Sequence, residues 1–269
     1  FYAECGGQVG DSGYIENENL KAEVLTTFKV NDLYVHRCNV LNGEVTIGET
    51  VKAYIDVPRR EQIRVHHTSA HLLQAALVKV LGSEVKQAGS YVDEHRMRFD
   101  FTFSRAMTHD EIVKVENLMN KWIGEGYKVN TKVMDIKEAE LTGATALFGE
   151  KYGDTVRVVS IEKDTENGVD CISKEFCAGT HARQLVDLRV VKVVSESAIA
   201  AGTRRIEAAV SNSAIEYLNA KSAEIDKLST KFKSHFDEVV ERVDKLSEEN
   251  KELQKQITEL KAENARGKF

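Results

Sequence analysis

Apolar and polar positions alternate with a period of two through much of the first sixty residues. Leu33-Tyr34-Val35 and Cys38-Asn39-Val40 read as strand and lead into Asn42-Gly43, a strong hairpin signal. Val45 and Ile47 are expected to start a return strand, and Val51, Tyr54, Ile55 and Val57 another. Pro58, the only proline, and Arg59-Arg60 are expected to close this segment as a small β-barrel. From Gln62 the period changes. Val65, Leu72, Leu73, Ala76, Leu77, Val80 and Leu81 recur at helical spacing, and Gly82 stops the run.

Strand and helix patterns then mix. Met97, Phe99, Phe101 and Phe103 alternate as one buried face of a strand, with Arg96, Arg98 and Asp100 on the other. Thr108 with Glu111 has the form of a capping box ahead of Ile112, Val115, Leu118, Met119 and Trp122, a helix ending at Gly124 to Gly126. Strands are expected over Tyr127 to Met134, Val156 to Ile161, Val169 to Ile172 and Leu188 to Val194. After about Ala208 the turn residues vanish. From Phe236 the apolar steps run Val239, Val243, Leu246, Asn250, Leu253, Ile257 and Leu260, a heptad seam carrying one Asn. Upstream, Ile225, Leu228, Phe232 and Phe236 include two consecutive steps of four, a stutter. The fold class is therefore α+β. It divides into a glycine-rich β-barrel over 1–60, an α+β core with a largely antiparallel sheet over 61–210, and a long helix, partly coiled coil, over 211–269.

Composition narrows the function classes. The 269 residues are 42% hydrophobic, enough for a real core. Thirty-seven basic against 43 acidic residues leave a net charge of −6, which argues against general coating of nucleic acid and leaves room for a local basic face. No apolar run approaches the roughly 20 residues of a membrane span. Cys5, Cys38, Cys171 and Cys177 form no paired framework, and nothing resembles a signal peptide, so a reducing, cytosolic compartment is expected. The chain starts at Phe1, not Met, and is expected to be a segment of a longer protein.

Two short stretches carry the candidate chemistry. His67-Thr68-Ser69-Ala70-His71 heads the first helix pattern, and Cys177-Ala178-Gly179-Thr180-His181 follows a run of strands. On a helix, His67 and His71 at i, i+4 project from one face. Alone they read equally as hydrogen-bonded, partly buried histidines, and a lone Cys as a small hydrophobe. Together the motifs offer three His and one Cys, a set that zinc accepts. The metalloprotease pattern requires Glu after the first His, where this chain has Thr68. Four protein ligands favour a closed, structural ion. A catalytic ion would need an added or exchanged ligand.

His67 to Leu73, followed by Gln87-Ala88-Gly89-Ser90 and by Arg98-Phe99-Asp100-Phe101, closely resembles the editing domain of alanyl-tRNA synthetase. Cys177 to Ala182 resembles that family's second zinc motif, with Ala178 where the family usually has glycine. Phe1-Tyr2-Ala3-Glu4 and Gly6-Gly7-Gln8 match the glycine-rich motif that opens the module, and Ala200 to Ala208 resembles the segment that closes it.

The resemblance implies a cis-editing module, hydrolysing the ester of tRNA(Ala) mischarged with serine or glycine, around one zinc ion on His67, His71, Cys177 and His181. A pocket built for alanine rejects glycine or serine only weakly, so a second, hydrolytic site must sort them. By resemblance Gln87 is the catalytic candidate, and Gly6, Gly7, Gln8, Thr68 and Ser90 are substrate-binding candidates. Tight turns account equally for the glycines, and local capping for Thr68 and Ser90. Arg64, Arg98, Arg204 and Arg205 are the tRNA-binding candidates, with Arg59, Arg60 and Arg96 in the same basic set. The parent enzyme ligates alanine to tRNA with ATP, and no adenylate-forming motif stands in this chain. A homodimer through the C-terminal region is expected, with no DNA or membrane partner. A freestanding AlaX-type deacylase and a non-catalytic tRNA-binding scaffold with structural zinc are the competing readings.

Overall fold

A computed structural model describes residues 1–146 and 153–266. They form two compact units, Phe1–Ile215 and the helical Glu216–Phe269, of which the last three residues lie outside the described part.

The first unit opens with a four-stranded antiparallel sheet: β1 (Gly13–Glu16), β2 (Leu20–Val30), β3 (Leu33–Gly43) and β4 (Lys52–Ile55), in the order β3-β2-β1-β4. It is an open sheet and not the expected barrel. Closure would need pairing between β3 and β4, and β4 is only four residues long. The hairpin turn falls at Asn31-Asp32, where Asn31 takes the left-handed φ of 53°. Asn42-Gly43 instead ends β3. Gly43 has φ 81°, and a Cβ there would stand 1.7 Å from the Asn19 carbonyl, so glycine is needed for close approach. Val45 and Ile47 lie outside any strand and are exposed.

Pro58 opens a helix where it was expected to close a domain. It sits in the first turn of α1 (Val57–Leu81), where its missing N–H costs nothing. Asp56 caps that end by accepting from the Arg59 amide at 3.1 Å. Every residue from Val65 to Leu73 is buried, so in this stretch the helix is enclosed on all sides. β5 (Gln87–Val92) and β6 (Met97–Thr102) follow, then α2 (His109–Glu125). The capping box is formed: the Glu111 amide donates to Thr108 Oγ1 at 3.2 Å, and the Thr108 amide to Glu111 Oε2 at 2.8 Å.

β7 (Lys128–Asp135), a short α3 (Ile136–Leu141), β8 (Thr155–Thr165) and β9 (Gly168–Phe176) come next, with β8 between the other two strands in an antiparallel sheet. A 3-10 turn, Leu185–Leu188, ends on Leu188, which was expected to begin a strand, and β10 (Val191–Ala200) starts only beyond it. β11 (Thr203–Val210) completes a third antiparallel sheet in the order β10-β11-β6-β5. The main core lies between this sheet, α1 and α2. Phe99, Phe101, Leu72, Leu73, Met119 and Ile206 are sealed from water there.

The long C-terminal helix is present as α5 (Val239–Arg266), preceded by α4 (Asn212–Phe232), which begins within the first unit. The break sits at the stutter, where Lys233 adopts a φ of 51°. The seam residues Val243, Leu246, Leu253, Ile257 and Leu260 of α5 are exposed. Among the described residues no helix is long and apolar enough to cross a membrane.

Candidate metal centre and cavity

His67 and His71 project one turn apart from the enclosed stretch of α1, with rings stacked at 5.5 Å. Cys177 and His181 come from the loop that leaves β9. One ligand atom from each of the four lies within 4.8 Å of the other three. Cys177 Sγ is 3.4 Å from His67 Nε2 and 3.3 Å from His181 Nε2.

The far side of each imidazole is held. His67 Nδ1 meets Gln8 Oε1 at 2.6 Å, His71 Nδ1 meets Glu175 Oε2 at 2.7 Å, and His181 Nδ1 meets Thr68 Oγ1 at 3.2 Å. These contacts fix the rings so that Nε2 of each is left for the centre, an arrangement typical of metal-ligating histidines. His71 Nε2 is buried and has no hydrogen-bond partner. An ion at the centre would satisfy it, and three His with one Cys is a donor set that suits a metal such as zinc.

Electrostatics favour the ligating form at His181 and Cys177 and oppose it at His71. Burial, then the neighbouring His67, push His181 down to about 3, so it is neutral. Burial alone would raise the Cys177 thiol, but the His67 and His71 rings outweigh it and hold it well below its usual value. A neutral imidazole and a thiolate are the forms a metal takes up. Burial would lower His71, but the Glu175 carboxylate outweighs it and holds His71 well above its ordinary value. Acid therefore competes with metal at this ligand.

Gly6 and Gly7, with φ of 57° and 82°, form the two-residue turn between Cys5 and Gln8, closed by the Gln8 amide donating to the Cys5 carbonyl at 3.0 Å. A Cβ on Gly7 would stand 2.4 Å from the Ser90 carbonyl, so this turn lies hard against β5. Gly179 has no positive φ. What it supplies is room, since a Cβ there would fall 1.9 Å from the His67 ring. Ala178 is exposed, which is why a methyl is tolerated next to a position where none fits.

A cavity of about 280 Å³ opens on His67, His71 and Cys177, and its wall includes Tyr2, Gly6, Gln87, Ser90 and Arg157. Gln87, Gly6 and Ser90 thus share one cavity with the ligands, and Gly7 buttresses it through Ser90. Gln8 and Thr68 are fully buried behind the histidines and are absent from its wall. Three positions went unnoticed in the sequence: Glu175, Thr180 and Arg157. Glu175 lies two residues before Cys177, and a carboxylate that close to a ligand motif is the one signal that could have drawn attention to it.

The basic candidates do not cluster at the cavity. Arg64 pairs with Glu61, Arg204 with Glu196, and Arg205 with Asp100 across adjacent strands at 2.7 Å. Arg59, Arg60 and Arg96 pair with Glu94, Asp11 and Glu207. Arg98 lies over the Tyr91 ring at 5.5 Å and has no acidic partner among the described residues.

Comparison with known proteins bears on this arrangement. Residues 1–59 match the family model for class II (A) tRNA synthetases. Residues 156–207 match the model for the threonyl and alanyl tRNA synthetase second additional domain. Over 98% of its length the chain is 40% identical to the chloroplastic/mitochondrial alanine–tRNA ligase of Populus trichocarpa, covering 27% of that protein. It is 42% identical over 98% of its length to the alanine–tRNA ligase of Synechococcus sp. (strain JA-3-3Ab), covering 29%. A third relative, from Thermosynechococcus vestitus, is 39% identical over the whole chain, which covers 30% of it. The chain thus spans less than a third of the length of these curated relatives.

Proposed function

We propose that this chain, which matches a segment of the alanine–tRNA ligases, is a hydrolytic editing module that cleaves the aminoacyl ester of tRNA(Ala) mischarged with serine or glycine. The observation that carries this reading is the convergence of His67, His71, Cys177 and His181 on one point in the floor of a cavity that also presents Gln87. When bound, zinc in such a site can hold the pocket in shape, polarise a carbonyl or lower the pKa of bound water to about 7. The chain's own residues do the rest. Gln87 offers two donors and an acceptor at the wall, suited to orienting the ester or the attacking water. Gly6 and Ser90 line the cavity, and the absence of a Cβ at Gly6 lets a ligand approach the backbone. Polar wall atoms would anchor a seryl hydroxyl and give an alanyl methyl nothing to bind, which separates serine from alanine.

Gln8 and Thr68 act in this reading through the imidazoles they hold and not by touching substrate. Arg98 is the tRNA contact we favour among the four candidates, because the other three would have to share or exchange an acidic partner. The exposed α5 seam is proposed as a dimer contact, tested by sedimentation of the chain with and without residues 239–266. The central test is deacylation of Ser-tRNA(Ala) and Gly-tRNA(Ala) by the zinc-loaded chain, with Ala-tRNA(Ala) as control. Rates equal to the uncatalysed background, with zinc bound, would leave only a tRNA-binding scaffold.

A further inference from the structure

Among the described residues, Arg157, on β8, is the only lysine or arginine in the cavity wall, and it does more than line it. Its Nη1 donates to the carbonyl of Cys177 at 3.0 Å and also to the carbonyl of Gly179. Its backbone joins in, since the Cys177 amide donates to the Arg157 carbonyl at 2.9 Å. The side chain is half-buried and burial lowers its pKa, opposed by the nearby Cys177.

A trans peptide points its C=O and N–H to opposite sides. Holding the Gly179 carbonyl toward Arg157 therefore turns the Thr180 amide away from it. That amide donates to Gln8 Oε1 at 2.8 Å, the same oxygen that meets His67 Nδ1. The peptide between Gly179 and Thr180 is thus gripped at both edges, by Arg157 on one side and Gln8 on the other. The Gly179 amide is left to face Cys177 Sγ at 3.4 Å.

We infer that Arg157 is a positioning residue for the metal centre: its guanidinium fixes the two loop carbonyls and so sets where Cys177 stands relative to His67 and His71. The inference rests on the proposed zinc reading and adds to it a residue that acts on the ligand loop through its carbonyls. One charged nitrogen between two carbonyls, with a planar fork behind it, is a task for arginine that lysine performs only in part.

The test uses the full chain and Arg157→Ala and Arg157→Lys variants. Zinc affinity is read by competition with a chromogenic chelator, and ligand geometry by the visible and thiolate-to-metal bands of the cobalt(II) form. Arg157→Ala should bind zinc about 10- to 100-fold more weakly, as for other outer-shell partners, and should change the cobalt spectrum. Arg157→Lys should recover part of the affinity. Circular dichroism of the metal-free variants should match the parent, separating a positional role from a general loss of fold. Unchanged affinity and spectrum in Arg157→Ala would overturn the inference while leaving the editing reading intact. A parent chain that shows the expected variant effects but hydrolyses no mischarged tRNA would remove the editing reading and leave Arg157 in its place. A parent that binds no zinc would end both.

Discussion

Replacing Gly179 with alanine asks the structure for space it does not have. The new Cβ would lie 1.9 Å from His67 Cε1, 2.3 Å from Nδ1 and 3.1 Å from Gln8 Oε1. Carbon atoms settle at about 3.5 Å, so the ring would have to retreat by about 1.6 Å. Metal–ligand distances tolerate only about 0.2 Å. The 2.6 Å bond from His67 to Gln8 leaves no direction of retreat that keeps the ring fixed. Either His67 leaves the centre or the loop carrying Cys177 moves, and one ligand is lost in both cases. Zinc should then bind at least about 100-fold more weakly, about 2.8 kcal/mol. Competition with a chromogenic chelator measures this, with circular dichroism of the metal-free protein to confirm the fold. Ala178→Gly is the control: the side chain is exposed, and its affinity should stay within about twofold of the parent. Gly179→Ala with the parent's zinc affinity would refute the steric argument and, with it, the placement of His67 against this loop.

Gln87→His is expected to slow hydrolysis of Ser-tRNA(Ala) by roughly 100-fold with zinc content unchanged, because Gln87 stands on the cavity wall and bonds none of the ligands. Single-turnover deacylation with metal analysis decides it, and coupled loss of zinc would refute it. Phe101→Ala should cost about 3–5 kcal/mol in urea unfolding, since Phe101 is sealed in the main core. The pH dependence of α2 follows from Glu111, held at about 2 by the Arg105 guanidinium and the Thr108 amide. Its folded value lies below its ordinary one, so its support is present above about 4.5 and is lost as pH falls through about 2. The melting difference between the parent and Glu111→Ala should accordingly be constant near neutrality and vanish near pH 2.

Much of the centre could be read from the chain because helices and tight loops put i, i+4 residues together. His67 with His71 and Cys177 with His181 are local facts, their donor chemistry suggested one site, and the resemblance to a known family supported joining the two pairs. What surrounds them could not be read in the same way. Gln8 reaches His67 across 59 positions and Thr180 across 172, and no periodicity encodes such contacts. Arg157 looked like one more strand residue. In the core sheet β6 was plain from alternation and β10 in part, β5 was missed, and β11 could have been found, since Ile206, Ala208 and Val210 alternate on one face. The barrel went wrong at a turn signal. Asn42-Gly43 has hairpin chemistry, yet its left-handed glycine serves to fit under the Asn19 carbonyl, and the actual hairpin uses Asn31-Asp32. The long C-terminal helix was legible from apolar spacing, and the stutter at Phe232 and Phe236 marked the place where the backbone at Lys233 breaks it.

One oxygen atom, Gln8 Oε1, joins three parts of the chain: the opening turn, the helix that carries His67 and the loop that carries His181. The module therefore resists being cut where its sheets suggest a seam. A version that begins at α1 would keep all four ligands and still lose the atom that orients one of them and pins the loop of two others. Swapping the opening segment between relatives is then an exchange of part of the site. Any such graft that is to keep its metal must bring the turn before Gln8 and the Thr180 loop from the same source.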